Sequence, residues 1–140
     1  SMESRHLFRS KRIDNGEWAE GHLITDEKDD LKYFIGYVLG TDEDGSPHDL
    51  DAVQVDPATI CQCTGLKDKN GKLIFENDIM EAHIDEDFPE DVSRFKVEWN
   101  GKGWVENHPD GVDREYLDDF DTEHFKVVGN IFDNPELLEG

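Results

Sequence analysis

The sequence predicts an all-β fold, mainly strands with short helices, and three features carry that prediction. Asn-Gly and Asp-Gly steps recur at Asn15-Gly16, Asp44-Gly45, Asn70-Gly71 and Asn100-Gly101, and such pairs accept the positive φ angles of tight hairpin turns. Between them lie apolar, aromatic runs of strand length, such as YFIGYVL (Tyr33 to Leu39) and FKVVGNIF (Phe125 to Phe132). Pro57 stands where such a run stops, because proline has no N–H to give to a ladder. Short strands with turn signals at regular spacing point to a sandwich or small barrel.

The elements follow in order. Leu7 to Arg12 and Trp18 to Ile24 flank Asp14-Asn15-Gly16-Glu17 and read as a hairpin. Tyr33 to Leu39 is a strand, Thr41 to Asp51 an acidic loop, and Ala52 to Val55 a further strand ended by Pro57. Ile60 to Thr64 resumes as a strand, Asn70-Gly71 turns the chain into Leu73-Ile74-Phe75, and Asp78 to His83 continues extended. Phe95 to Trp99 and Trp104 to Asn107 flank Asn100-Gly101-Lys102-Gly103 as another hairpin. Glu106 to Glu123 holds eight carboxylates and the single base Arg114. Tyr116, Leu117 and Phe120 fit one apolar edge of a short helix, and the same segment also fits a solvated loop. Phe125 to Phe132 is the last strand, and Asn134-Pro135-Glu136 starts a short helix with Asn as cap and Pro in the first position.

Composition narrows the function classes. The chain of 140 residues suits one domain, with 35% hydrophobic and 10% aromatic residues, so the core is modest and built around aromatics. Fourteen Lys and Arg against 35 Asp and Glu give a net charge of −21, which repels phosphate backbones and disfavours direct nucleic-acid binding. No stretch is long and apolar enough to span a bilayer or resemble a signal peptide, so no membrane partner is expected. Two cysteines do not make a disulfide framework, and a reducing cytoplasm is the expected location.

Cys61 and Cys63 lie two apart, so on a strand both face one side. A closed zinc site needs about four ligands in C-x₂₋₄-C pairs, whereas here the spacing is C-x-C, and His83, His108 and His124 stand in separate segments. Both cysteines therefore read as small buried side chains, and no metal or cofactor is expected. The stretch GLKDKNGK lacks the spacing of a phosphate loop. Thr41 to Gly45 fails as a calcium loop, because the position requiring glutamate holds Asp51. Pro109-Asp110 has no following [D/E]-x-K for a magnesium nuclease, and no G-x-S-x-G is present. No catalytic residue is expected, and the chain reads as non-enzymatic.

Gln62 followed by TGLKDKNGKLIFENDIM (Thr64 to Met80) resembles the signature of the YopX family of phage and prophage proteins, roughly Q-x-TGLxDxNGxxIFEGDIV. FRSKRIDNGEWAEGHLI (Phe8 to Ile24) is similar to that family's usual start, and VVGNIFDNPELLE (Val127 to Glu139) to its usual end. Ser10 and Asn77 stand where the pattern has glycine, and asparagine is the side chain that best tolerates positive φ. Cys63 stands where the family often has an aromatic, in keeping with a core position. The resemblance implies an N-terminal hairpin region over residues 1–60 packed on a small SH3-like barrel over residues 61–140, together one compact unit. It implies a bacterial host cell and no particular activity.

The basic residues are the candidate contact surface. Arg5, Arg9, Lys11 and Arg12 fall in a stretch without an acid, Ser4 to Ile13, and Lys67, Lys69 and Lys72 cluster on the Asn70-Gly71 turn. Their ordinary role is to answer the chain's own carboxylates, and the alternative is to meet the acidic face of another copy or partner. Trp18, Trp99 and Trp104 read as core, and an exposed one would mark a groove for an extended peptide. The expected function is that of a non-enzymatic accessory protein whose partners are itself, as a homo-oligomer, and a phage or host protein. The alternative is an acidic mimic of DNA that occupies a host nucleic-acid-binding protein.

Overall fold

A computed structural model describes residues 4–28, 31–109, 111 and 115–139. The chain divides into two units, Met2–Cys63 and Thr64–Gly140.

The first unit is an antiparallel sheet of β1 (Phe8–Lys11), β2 (Trp18–Asp26), β3 (Lys32–Thr41), β4 (Pro47–Gln54) and the start of β5 (Cys61–Lys67), in the order β4-β3-β2-β1-β5. Its register sets Leu23 opposite Ile35 and Ile35 opposite Val53. Strand alternation then gathers Tyr33, Tyr37 and Val53 on the face where Ala19, Ile35 and Val55 are buried. Gly21 is required there, because a Cβ would stand 2.5 Å from the Gly36 carbonyl oxygen.

Two expectations for this unit shift. The acidic loop shortens to Asp42–Ser46, and β4 starts at Pro47, opposite Thr41. Gly45 at φ +87 donates to the Asp42 carbonyl at 2.9 Å and closes the turn. Pro47 opens the strand, a position where a missing N–H is tolerated. Beyond Gln54, Asp56 Oδ1 takes the N–H of Ala58 at 3.0 Å and caps a 3₁₀ turn, Pro57–Thr59. Ser10, fully buried, has its Oγ 2.9 Å from the Asp56 carbonyl and 2.8 Å from Thr59 Oγ1.

In the second unit the latter part of β5 pairs with β6 (Leu73–Phe75). A second sheet runs β10-β7-β8-β9, from β7 (Asp78–His83), β8 (Val92–Trp99), β9 (Trp104–Asn107) and β10 (Lys126–Asn130). Ile74, Met80, Phe95, Val97 and Phe125 form its core, with the Phe95 and Phe125 rings 4.9 Å apart. The Asn70-Gly71 turn forms with Gly71 at φ +81. Asn77 has φ +70 and is the sole non-glycine residue with positive φ among the described residues.

The closed SH3-like barrel implied by the resemblance is not found among the described residues. Beyond β9 the chain supplies an isolated bridge, Val105 to Tyr116, and then helix α1 (Asp119–His124) in place of a further strand. The expected apolar helical edge is absent too. Leu117 packs on the core, but Tyr116 precedes the helix and is 53% exposed, and Phe120 is 62% exposed. The last strand stops at Asn130, whose Oδ1 takes the N–H groups of Phe132 and Asp133, both at 2.9 Å. Asn134 caps nothing with its side chain; its Oδ1 takes the N–H of Asn130 instead.

Candidate functional site

The hairpin of β1 and β2 assembles the clearest basic surface. Its register pairs Arg9 with Glu20 and Lys11 with Trp18, so these four side chains share one face while Ser10 and Ala19 turn to the other. The Arg9 guanidinium carbon lies 4.9 Å from the Trp18 ring centroid and Lys11 Nζ lies 5.4 Å from it. Cations at that range are drawn to the ring's negative face by ~0.5–1 kcal/mol at exposed sites. The result is an aromatic plate carrying two positive charges.

The other basic candidates divide differently. Arg12 turns away to its own turn, with Nε 2.9 Å from Asp14 Oδ1 and Nη2 2.7 Å from Oδ2. That fork holds Asp14 below the ordinary carboxylate range and raises Arg12. Arg5 lies in a 3₁₀ turn, Ser4–His6, where its carbonyl takes a hydrogen bond from Gln62 Nε2 at 3.2 Å. In the second unit Lys67, Lys69 and Lys72 are exposed around the Asp68 turn. Lys69 also lines a cavity of about 500 Å³ with His83, Asp85, Glu86, Pro89, Glu123 and His124. His83 Nδ1 donates to the Pro89 carbonyl at 3.0 Å, and His124 Nδ1 to the Phe120 carbonyl at 2.8 Å.

Most of the acids with a described role hold turns. Asp26, Asp44, Asp56 and Asp85 each take a backbone N–H two residues ahead. Asp68, 6% exposed, accepts the N–H groups of Asn70 and Lys72 on Oδ1 and of Val127 on Oδ2, all at 2.9 Å. These are local duties set by aspartate's short reach to its own backbone. Asp110, Asp113 and Arg114 lie outside the described residues.

Cys61 and Cys63 are both buried on β5 with Gln62 exposed between them, and Cys61 Sγ donates to the Thr59 carbonyl at 3.3 Å. Among the described residues, no three His, Cys, Asp or Glu side chains come together as metal ligands. No described helix is long and apolar enough to cross a membrane. Trp104, half-buried, packs against the core, whereas Trp18, half-buried under its cations, and Trp99 depart from the core expectation. Trp99 is 48% exposed, its ring 5.0 Å from that of Trp104.

Two groupings were missed in the sequence. The Trp18 plate needs the hairpin register, which can be counted outward from Asn15-Gly16. A buried carboxyl pair, Glu106 and Asp121, had half its signal in Asp118-x-x-Asp121, the spacing of a capping box.

A family model described as "YopX protein" matches residues 7–139. The chain is similar to the crystal structure of protein EF1440 from Enterococcus faecalis, with 25% identity, a TM-score of 0.52, and 94% of this chain and 96% of that one covered. It also shares its fold with protein yopX from Bacillus subtilis, with 20% identity, a TM-score of 0.57, and 97% and 98% covered. No curated protein matches.

Proposed function

The chain belongs to the YopX family, and from that premise we propose that it is a phage or prophage accessory protein that acts through protein contacts and self-association, without catalysis. The observation that carries the reading is the face on which Trp18 holds Arg9 and Lys11. A flat ring flanked by cations, on a chain of −21, is complementary to an acidic surface, including that of a second copy. The Glu106 to Glu123 segment offers Glu115, Asp118, Asp119 and Glu123 at its surface, while Glu106 and Asp121 are buried and take no part.

DNA mimicry is the weaker reading. A mimic presents carboxylates in rows at phosphate-like spacing, whereas Asp26, Asp44, Asp56, Asp68 and Asp85 are scattered over separate turns and engaged with backbone N–H groups.

Affinity capture from phage-producing cells tests the proposal, using the tagged wild type and an Arg9→Glu/Lys11→Glu variant. A protein, or an untagged copy of this chain, retained by the wild type and lost by the variant supports it. The same set of proteins captured by both contradicts it.

A further inference from the structure

Glu106 on β9 and Asp121 on α1 are each 7% exposed and share a side-chain hydrogen bond. Two ionised carboxylates have no hydrogen to share, so the contact requires one proton between them. The register explains why an acid enters the core. Glu106 stands opposite Val97, on the sheet face that carries Val97 and Phe95 inward. Its Oε1 is hydrogen-bonded to His108 Nε2 at 2.8 Å, and the His108 ring rests 5.3 Å from that of Phe95. Asp121 is fixed from the helix side: its Oδ2 takes the N–H of Asp118 at 3.1 Å, and Asp118 Oδ1 takes the N–H of Asp121 at 2.9 Å.

We propose that Glu106 and Asp121 form a proton-dependent latch that fastens α1 to β9, closed while they share one proton and released when it leaves. Burial first, and then the bond to Glu106, push the Asp121 carboxyl up to about 7. Burial raises the Glu106 carboxyl too, so the pair as a unit holds one proton between its two carboxyls. The charged groups that act on the pair are Glu115, from the segment bridged to β9, and the N-cap Asp118, both negative, with His108 from the end of β9. β8 adds only the apolar Val97 and Phe95.

A folded-state value raised in this way gives stability that is complete below the ordinary aspartate value of ~3.9 and is lost as pH rises through about 7. Above that, two buried like charges face each other and repel. Release has two consequences. Phe125, whose N–H is held by the Asp121 carbonyl at 2.9 Å, loses the anchor that sets it against Phe95. Glu123 and His124, carried by α1, leave the wall of the cavity lined by Lys69 and His83.

Two measurements test the latch. Carboxyl ¹³C titration of the labelled wild type should show one member of the pair titrating near neutrality; both titrating between ~3 and 5 overturns the proposal. Hydrogen exchange of residues 119–125, corrected for intrinsic rates, should lose protection by up to ~10-fold for each pH unit between ~4 and about 7 and level off above that. In Asp121→Asn, which imitates the protonated acid, protection should be flat with pH. If that variant does not fold, Glu106→Gln takes its place, and the wild-type titration stands by itself. The wild-type pH dependence persisting in either folded variant overturns the latch.

Discussion

Asp68 Oδ2 accepts the backbone N–H of Val127 at 2.9 Å, tying the turn between β5 and β6 to the start of β10. The same carboxylate takes the N–H groups of Asn70 and Lys72, so one buried side chain closes a turn and docks a strand 59 residues away. Asp68→Ala leaves three donors without this acceptor and should lower unfolding free energy by ~2–4 kcal/mol. Urea denaturation checks this; a loss below ~1 kcal/mol would mean that water replaces the carboxylate.

Gly71, two residues before β6, has φ +81 and nothing within 4 Å of where a Cβ would lie. Any cost of Gly71→Val therefore comes from backbone conformation and not from a clash. The expected loss is ~1–2 kcal/mol, with Gly71→Asn losing less. Equal urea midpoints for the valine and asparagine variants would contradict this assignment.

Ser10 and Thr59 meet at 2.8 Å between Lys11 and Asp56. In Ser10→Ala, Thr59 Oγ1 keeps its bonds to the Asp56 carbonyl and the Lys11 N–H. The loss should be ~0.5–1.5 kcal/mol, read as a shift in melting temperature. Thr59→Val removes the hub of the group and should cost more than Ser10→Ala; the reverse ranking would count against it.

What the sequence revealed depended on how local each determinant is. The turns at Gly16, Gly71 and Gly101 were legible because tolerance of a positive φ belongs to the residue itself, whereas Gly45 was read within a long acidic loop. Asp78–His83 was read with correct ends because Asn77 starts it with a positive φ. β4 was read too short because Pro47 and the acids before Ala52 look like loop, and only pairing with β3 extends them. The Trp18 plate was half legible: the basic residues stood out, but the ring beneath Arg9 and Lys11 appears only once the hairpin is folded. Glu106 and Asp121 were hidden among eight carboxylates, since burial of an acid is decided by strand register and helix docking.

Asp121 gives global stability a pH dependence of known sign. Its folded value, raised to about 7, makes the wild type lose stability relative to Asp121→Asn as pH rises from 5 to 9. The difference should change by ~1–3 kcal/mol in favour of the variant, allowing for solvent reaching the pair. Urea midpoints at the two pH values measure it, and a constant gap would contradict the raised value.

The most direct test of the proposed contact surface is molar mass by light scattering at low and physiological salt. The wild type should exceed the mass of one chain at low salt. It should lose mass as salt shortens the screening length to ~8 Å. Arg9→Glu/Lys11→Glu should stay at the mass of one chain, and Arg12→Glu should behave as wild type because Arg12 is already held by Asp14. A wild type at one-chain mass in every condition, or a double variant that keeps the wild-type mass, would contradict the account.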